Sequence, residues 1–396
     1  MKRIGQIRKK FLTRERILLI VESLTNAERQ RQWTPAQRKR WRVFLDREEE
    51  NVERIWQELR YQVFTPDGFI IFHKKEGQKT RTIYESKPRE LIVDTLLLDC
   101  LEYVFLERKH IVHRNCHGSI KGRGQHELRK RIINLVHGRD NLYAYVGDTA
   151  KYYPTMNHDV LMKTFREHIK DEWLLWLCEV CVNRLEGVKG IALGLPSSNP
   201  VGHIYHAIVD WYMILVLKVR RYFRFCDDKY MFHRDANYLH TAARELRDMT
   251  ASQLKQDIKP SWRIVQCKEE RFECLGAMVN SHNARLKSFN RRRIERKMRQ
   301  IIKDGDPTKA LRAWSGINGA LLGLSVSNLL DYWHEVYAEF FHLLKWARQM
   351  IAEARHRKKW HAKLERILTN AKDCRSAEIK QMYPYGFIVK QKRAAA

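Results

Sequence analysis

The sequence predicts an α+β fold in which helices back an antiparallel sheet. Residues 13–64 carry apolar side chains at three-and-four spacing, which is the period of amphipathic helices. Residues 141–280 alternate between strand-like and helical segments and include a tight hairpin, an order typical of an antiparallel sheet backed by helices. From 285 to about 368 the chain is again helical and is strongly basic.

Composition limits the class of protein and of partner. With 396 residues, 44% of them hydrophobic, the chain can build two or three packed lobes and is not intrinsically disordered. Its 75 Lys and Arg against 46 Asp and Glu leave a net charge of +29, which predicts a polyanionic partner. The central apolar run at 211–217 is far shorter than the ~20 residues that cross a bilayer, so we expect nucleic acid and no membrane. The eight scattered cysteines suit a reducing, cytoplasmic compartment.

The N-terminal part is predicted to form helices followed by a basic hairpin. Thr34-Pro35 marks a helix start, because threonine caps a helix and proline suits its first turn. Residues 68–84 change to a strand period around a Lys-Glu-Gly-Gln turn, and residues 91–108 return to helix. The hairpin carries four cations: Lys74, Lys75, Lys79 and Arg81.

The middle of the chain supplies the predicted sheet. Strands are expected at 142–146, in the two arms of a hairpin at 222–232, and near 262–267 and 272–279. The segment 160–185 is expected to be mostly helical, and helices are expected at 203–220 and 236–256. No repeat or Gly/Ser-rich linker separates these segments, so we expect the lobes to pack closely.

Three carboxylates stand at strand ends. Asp148 follows an apolar strand, and Asp227 and Asp228 are consecutive at the tip of the 222–232 hairpin. Adjacent strand residues face opposite sides, so only one of the pair can point squarely at Asp148. Converging carboxylates repel unless a hard cation lies between them, and two Mg²⁺ ions about 3.5–4 Å apart would clamp the oxygens of a phosphoryl displacement. The alternative is that an Asp-Asp pair is ordinary turn chemistry.

The segments that contain these residues resemble the palm motifs of reverse transcriptases. They are Asp148-Thr-Ala-Lys-Tyr-Tyr-Pro-Thr-Met, Gly194-Leu-Pro-Ser-Ser-Asn, Phe223-Arg-Phe-Cys-Asp-Asp-Lys-Tyr-Met-Phe and Cys274-Leu-Gly. Upstream, His117-Gly-Ser-Ile-Lys-Gly-Arg-Gly-Gln-His resembles a finger motif of the same enzymes. In order and spacing the segments are most similar to bacterial reverse transcriptases of the diversity-generating-retroelement, group II intron and antiphage-defence branches. The resemblance covers roughly residues 70–285 and does not include the flanks.

The resemblance implies a right-hand polymerase with fingers, an antiparallel palm sheet and a helical thumb. The expected segments are a helical N-terminal extension (1–66), fingers (67–140), palm (141–283), helical thumb (284–360) and a basic C-terminal tail (361–396). The implied activity is RNA-directed DNA synthesis, in which deoxynucleotides are added to a primer 3′ end. An RNA-directed RNA polymerase and a catalytically idle RNA-binding scaffold are the alternatives.

The same resemblance implies a metal site and a sugar contact. Asp148 and Asp227, with Thr149 beside them, would hold two Mg²⁺ or Mn²⁺ ions, and Asp228 would be a weaker third carboxylate. Tyr153 falls where the family places a ring beneath the sugar of the incoming nucleotide. That ring would clash with a ribose 2′-hydroxyl, and a core aromatic is the alternative interpretation.

Cations are predicted to meet the nucleotide triphosphate. Lys121 and Arg123 lie between glycines in a loop whose backbone N–H groups could also approach phosphates. Lys79 and Arg81 could act from the other side, and a flexible basic turn is the alternative for the loop. Lys259 occupies the family's position near the leaving pyrophosphate, with a solvated lysine at a strand end as its alternative.

Three positions depart from the family. Gly202 and His203 stand where most relatives carry a Ser-Gln pair against the template base and the nucleotide, so we expect both residues beside template and nucleotide. Cys226 precedes the paired aspartates where Ala or Met is usual, and Ala277 replaces a common aromatic. None of these changes removes a metal ligand, and activity is expected to survive.

Charge and resemblance together predict the partners. A helix at the start of the implied thumb would track the backbone of an RNA–DNA duplex with Arg291, Arg292, Arg293, Arg296 and Lys297. We expect the protein to use dNTPs and a dedicated noncoding RNA, with an accessory protein or further copies of itself. Antiphage defence and diversification of a target gene are the two expected roles in a bacterial cytoplasm, and the atypical Gly202-His203 favours the first.

Overall fold

Helices and short strands are mixed along the chain. The computed structural model describes residues 3–76 and 79–373, with the side chains of all of these except 76, 79, 360 and 362–373. Helix accounts for 57% and strand for 14%, which confirms the predicted α+β class. Within the described ranges, no helix combines the length and the apolar character needed to cross a bilayer.

Five helices at the start of the described chain are followed by a two-stranded hairpin. They are α1 (Ile7–Phe11), α2 (Arg14–Thr25), α3 (Ala27–Gln30), α4 (Pro35–Leu45) and α5 (Glu48–Arg60). The predicted start at Thr34 is confirmed: its Oγ1 accepts a hydrogen bond from the Gln37 N–H, and the Gln37 Oε1 accepts one from the Thr34 N–H. Strands β1 (Ile70–Glu76) and β2 (Lys79–Glu85) then pair antiparallel, as the hairpin pattern predicts.

A five-stranded sheet forms the centre of the chain. Its strands are β3 (Cys116–His117), β4 (Tyr143–Asp148), β5 (Tyr222–Phe225), β6 (Asp228–His233) and β7 (Arg263–Gln266), in the spatial order β3–β5–β6–β4–β7. Strand β4 pairs antiparallel with both β6 and β7, while β3 is parallel to β5. The carboxyl end of β4 therefore lies beside the turn between β5 and β6.

Helices cover this sheet. They are α6 (Pro88–Leu101), which continues as a π-helical segment (Glu102–Arg108), α7 (Gln125–Val136), α8 (His158–His168), α9 (Glu172–Val182), α10 (Ser198–Trp211), which also ends in a π-helical segment (Tyr212–Val216), and α11 (Ala236–Leu254). The segment 160–185 is mostly helical, as predicted, and it is divided into two helices because the Asp171 side chain accepts a hydrogen bond from the Leu174 N–H and caps a new helix. Helix α11 packs on β4 and β6.

The predicted strand at 272–279 is a hairpin. Strands β8 (Phe272–Cys274) and β9 (Ala277–Val279) pair antiparallel. Leu275 and Gly276, which join them, have φ angles of 47° and 82°, so the chain reverses there. The Leu-Gly pair is the local signal for this turn.

The chain divides into two compact units between Ala284 and Arg285, where the short strand β10 (Ala284–Leu286) lies. The second unit contains α12 (Ser288–Asp304), α13 (Pro307–Leu321), α14 (Ser327–Val336) and α15 (Ala338–Asp373) around the buried ring of Trp333. Helix α15 continues through the boundary predicted at 360, since residues 338–373 contain no glycine or proline. Positions 374–396 of the predicted tail lie outside the described residues.

Candidate active site

Three acidic residues lie where β4 and the β5–β6 hairpin end side by side. Asp148, the last residue of β4, is directly opposite Asp228, the first residue of β6. Asp227 belongs to the two-residue turn between β5 and β6, and its carbonyl oxygen accepts a hydrogen bond from the Thr149 N–H at 3.2 Å. Opposed residues of an antiparallel pair project to the same face. The structure thus brings position 148 together with the 227–228 turn, with Asp228 as the direct neighbour of Asp148.

A lysine ammonium pairs with one of these carboxylates. Lys259 forms an ion pair with the Asp148 carboxylate, and its backbone N–H donates to the Asp148 carbonyl oxygen at 2.9 Å. Burial, together with the charges of Asp227 and Asp148, raises the pKa of Asp228 to about 7. In the part of the chain that the structure describes, no three His, Cys, Asp or Glu side chains are grouped to hold a metal ion. The carboxylate oxygens are nevertheless the donors that Mg²⁺ prefers, and the position of Lys259 shows that Asp148 accepts a counter-cation.

A second lysine lies buried behind the carboxylates. Lys229 has no exposed surface, and its ammonium donates to the Thr149 hydroxyl and, at 3.4 Å, to the Asp227 carbonyl oxygen. Burial and the charge of Arg224 lower the pKa of Lys229 to about 8. The buried Thr149 hydroxyl is thus bonded to an ammonium inside the protein. Sequence reasoning missed Lys229, although a lysine in an otherwise apolar strand was the available signal.

An ion pair inside the protein supports the β5–β6 turn. Arg224 on β5 and Asp210 on α10 are both fully buried, and the guanidinium donates to both carboxylate oxygens at 2.6–3.0 Å. Arg224 Nη1 also donates to the Cys226 carbonyl oxygen at 3.1 Å, in the turn that contains Asp227. Burial alone would raise the pKa of Asp210, but the Arg224 guanidinium holds it below its ordinary value. Neither residue was predicted as part of the site.

His203 and Gly202 are internal. His203 Nε2 donates to the Gly118 carbonyl oxygen at 2.7 Å and its Nδ1 accepts from Arg224 at 3.2 Å, since a carbonyl can only accept and a guanidinium only donate. Burial and the Arg224 charge lower the pKa of His203 to about 3, so the ring is neutral. A Cβ at Gly202 would lie 2.8 Å from the Tyr152 hydroxyl. The structure therefore places the pair against protein groups, in contrast to the predicted position beside template and nucleotide.

The loop of residues 118–124, which we call the glycine loop, lies against the β5–β6 turn. The Cys226 N–H donates to the His117 carbonyl oxygen at 3.2 Å. Arg123 donates from its guanidinium to the His113 carbonyl oxygen at 3.2 Å, whereas Lys121 is exposed. Of the two phosphate ligands predicted in this loop, Lys121 is the exposed one.

Gly118 provides a stability test of this contact. Its φ is +107°, and an added Cβ would lie 2.6 Å from Cys226 Sγ. We expect Gly118→Ala to lower the free energy of unfolding by about 2–4 kcal/mol, because backbone strain and steric overlap add. The measurement is the urea midpoint of the purified protein.

Two further variants separate the steric overlap with Cys226 from the backbone strain at Gly118. Gly122 has a φ of +76°, but no atom of the described residues lies within 4 Å of an added Cβ, so Gly122→Ala should cost only about 1 kcal/mol of strain. Adding Cys226→Ala to Gly118→Ala should recover part of the loss. Equal midpoints for the Gly118 and Gly122 variants would contradict the contact.

Tyr153 is held at the edge of the cluster. Its ring meets Tyr152 edge-on at 4.9 Å, and its hydroxyl donates to the Asn199 side-chain oxygen. Burial raises the pKa of Tyr153 above its ordinary value, and the charge of Arg81 acts in the opposite direction. Arg81 lies on β2, opposite Lys74 in the hairpin. The side chain of Lys79 lies outside what the structure describes.

The predicted duplex-tracking residues lie on α12 of the second unit. Arg291 is engaged within that unit, as its guanidinium bonds Glu295 at 2.8 Å and lies 5.0 Å from the Tyr332 ring centroid. The other four are exposed: Arg292, Arg293, Arg296 and Lys297. Four solvent-facing cations on one helix retain the predicted capacity to neutralise phosphates.

Comparison with known proteins identified no relative of this chain. The sequence matches none of the known protein families searched and none of the curated proteins. A function for this chain must therefore be inferred from the geometry of the carboxylate cluster and the groups around it.

Proposed function

We propose that the protein is an RNA-directed DNA polymerase with a right-hand architecture. The observation that carries the proposal is the register that sets Asp148 opposite Asp228, with Asp227 in the adjoining turn. A metal-dependent phosphoryl transfer needs acidic ligands from separate strands at one point, and ordinary turn chemistry does not require the third carboxylate on β4. In this proposal the hairpin β1–β2 belongs to the fingers, the five-stranded sheet is the palm, and α12 begins the thumb.

The residues of this chain would have distinct roles in the reaction. Asp148, Asp227 and Asp228 would hold two Mg²⁺ ions, which supply charge neutralisation to the attacking and leaving oxygens when bound. Lys121 would meet the triphosphate from the glycine loop, and Lys259, which pairs with Asp148, would neutralise the leaving pyrophosphate. The internal bonds of Arg224 would keep the turn in place during turnover.

An RNA partner is favoured by the charge. A net charge of +29 and the exposed cations of α12 favour binding of a long polyanion. An RNA template and its duplex with the DNA product are both such polyanions. We propose a dedicated noncoding RNA as template and antiphage defence as the role, with diversification of a target gene as the second candidate. A variable repeat with its template copy beside the gene would decide for diversification.

The test uses the purified full chain with an RNA template, an annealed DNA primer and Mg²⁺ or Mn²⁺. Primer extension with dNTPs that stops when the metal is chelated supports the proposal. Extension with NTPs alone indicates an RNA-directed RNA polymerase. Sequencing the nucleic acid that co-purifies with the protein supplies the native template for this assay. If no extension occurs even on that template while RNA binding is retained, the protein is a scaffold.

Tyr153→Ala tests the assignment of the sugar contact. Removing the ring should raise the use of NTPs relative to dNTPs by about tenfold to a hundredfold, because the space of a 2′-hydroxyl is opened. The measurement is kcat/KM for a matched dNTP and NTP on the same primer. Tyr61→Phe, a change at an exposed tyrosine, is the control and should leave the ratio unchanged. An unchanged ratio for Tyr153→Ala would remove Tyr153 from the proposed site.

A further inference from the structure

We propose that Asn199 is a positioning residue that sets sugar selectivity by holding the Tyr153 ring. This inference rests on the proposed role of Tyr153. The Asn199 Oδ1 accepts the hydrogen bond of the Tyr153 hydroxyl, and its Nδ2 donates to the Ser119 hydroxyl at 2.7 Å. Cys226 Sγ lies 3.8 Å from the same Oδ1. One amide thus touches the ring, the glycine loop and the turn that contains Asp227.

Asn199 is itself well anchored, so it can fix another side chain. It is the second residue of α10, whose start is held by Asp94: the Ser197 N–H and hydroxyl donate to the two Asp94 carboxylate oxygens at 2.9 and 2.8 Å. Asp94 is fully buried and paired with Arg184 at 2.9 Å. The Ser198 hydroxyl also bonds the Ala192 carbonyl oxygen at 2.6 Å. These bonds fix the backbone that carries Asn199.

The tyrosine needs such a partner. A phenol is protonated at neutral pH and burial raises the pKa of Tyr153 further, so the half-buried hydroxyl is a donor that requires an acceptor. The edge-on contact with Tyr152 limits one side of the ring, while the bond to Asn199 restrains its far end. Without that bond the ring gains rotational freedom, and the space that it denies to a 2′-hydroxyl is no longer constant.

The experiment is a double-mutant cycle on selectivity. Tyr153→Phe removes only the hydroxyl, whereas Asn199→Ala removes the whole side-chain amide, including its bond to the Ser119 hydroxyl. Each should lower the ratio of kcat/KM for dNTP over NTP by about fivefold, the value of one neutral hydrogen bond, and the double variant should be no lower than the worse single. Asn237→Ala on α11, an exposed asparagine, is the matched control and should not change the ratio.

Wild type, the two single variants and the double variant also give a stability readout that needs no turnover. If the hydroxyl and the amide are bonded, their effects on the urea midpoint are non-additive. If Asn199→Ala folds poorly, the dNTP-over-NTP ratio of Tyr153→Phe still tests the bond, because that variant removes only the hydroxyl. Additive midpoints would overturn the inference. If Tyr153→Ala raises NTP use but Tyr153→Phe and Asn199→Ala leave the ratio unchanged, the inference fails while the polymerase proposal stands. If Tyr153→Ala itself leaves the ratio unchanged, the role of Tyr153 fails first and the inference with it.

Discussion

Asp227→Asn is expected to lower nucleotide incorporation by about a thousandfold or more. The substitution keeps the shape of the side chain and removes the charge that a divalent ion requires, so several kcal/mol of transition-state stabilisation are lost. RNA binding should stay within about twofold, because phosphate contacts by Lys and Arg dominate such affinities. Primer extension and filter binding of the same preparation measure the two effects.

The control for this prediction is the same chemical change at an exposed site. Asp248 on α11 has a side chain that is 64% exposed and pairs with its neighbour Arg247. Asp248→Asn should therefore retain full incorporation and RNA affinity. Wild-type incorporation by Asp227→Asn, with Asp148→Asn equally active, would refute the polymerase proposal and leave a nucleic-acid-binding protein.

Arg224→Met is expected to cost about 3–5 kcal/mol of unfolding free energy, because it leaves a buried carboxylate uncompensated. Asp210 has no exposed surface, and its other bonds come from the neutral Tyr222 hydroxyl at 2.7 Å and the Cys116 thiol at 3.2 Å. Those donors do not supply a positive charge. The urea midpoint, with the slope checked for change, measures the loss.

Two variants separate stability from positioning. Arg263→Met breaks an ion pair with Glu270 whose side chains are 44% and 56% exposed, and it should cost less than about 1 kcal/mol. The double variant Arg224→Met/Asp210→Leu removes both buried charges and should regain much of the stability. Its nucleotide incorporation should remain low, since nothing replaces the bond to the Cys226 carbonyl oxygen. A double variant no more stable than the single one would contradict the ion-pair argument.

Several elements follow from local chemistry and were predictable. The capping box at Thr34, the β1–β2 hairpin and the β5–β6 hairpin are encoded within a few residues, and the structure has all three. The prediction that 160–185 is mostly helical is confirmed, but the apolar run hides the cap at Asp171 that divides the segment into α8 and α9. Helix α15 runs to Asp373, a few residues beyond the limit of about 368 that the sequence predicts.

The polar interior of the site was not predictable in the same way. In the sequence Arg224 is one polar residue within an apolar strand, and Asp210, which neutralises it, is 14 positions away on a helix. Asn199 and Tyr153 are 46 positions apart. Histidine is a residue type that often contacts nucleic acid, yet the His203 ring donates a hydrogen bond to the Gly118 carbonyl oxygen.

By itself the sequence determined the helices, the hairpins and the presence of carboxylates at strand ends, because periodicity and turn preference act over a few residues. The tertiary structure alone decided that Asp228 opposes Asp148, that Lys229 and Arg224 are buried beneath them, and that Asn199 holds Tyr153. The reason is that strand register and desolvation depend on groups distant along the chain, whose separation in space no local pattern records.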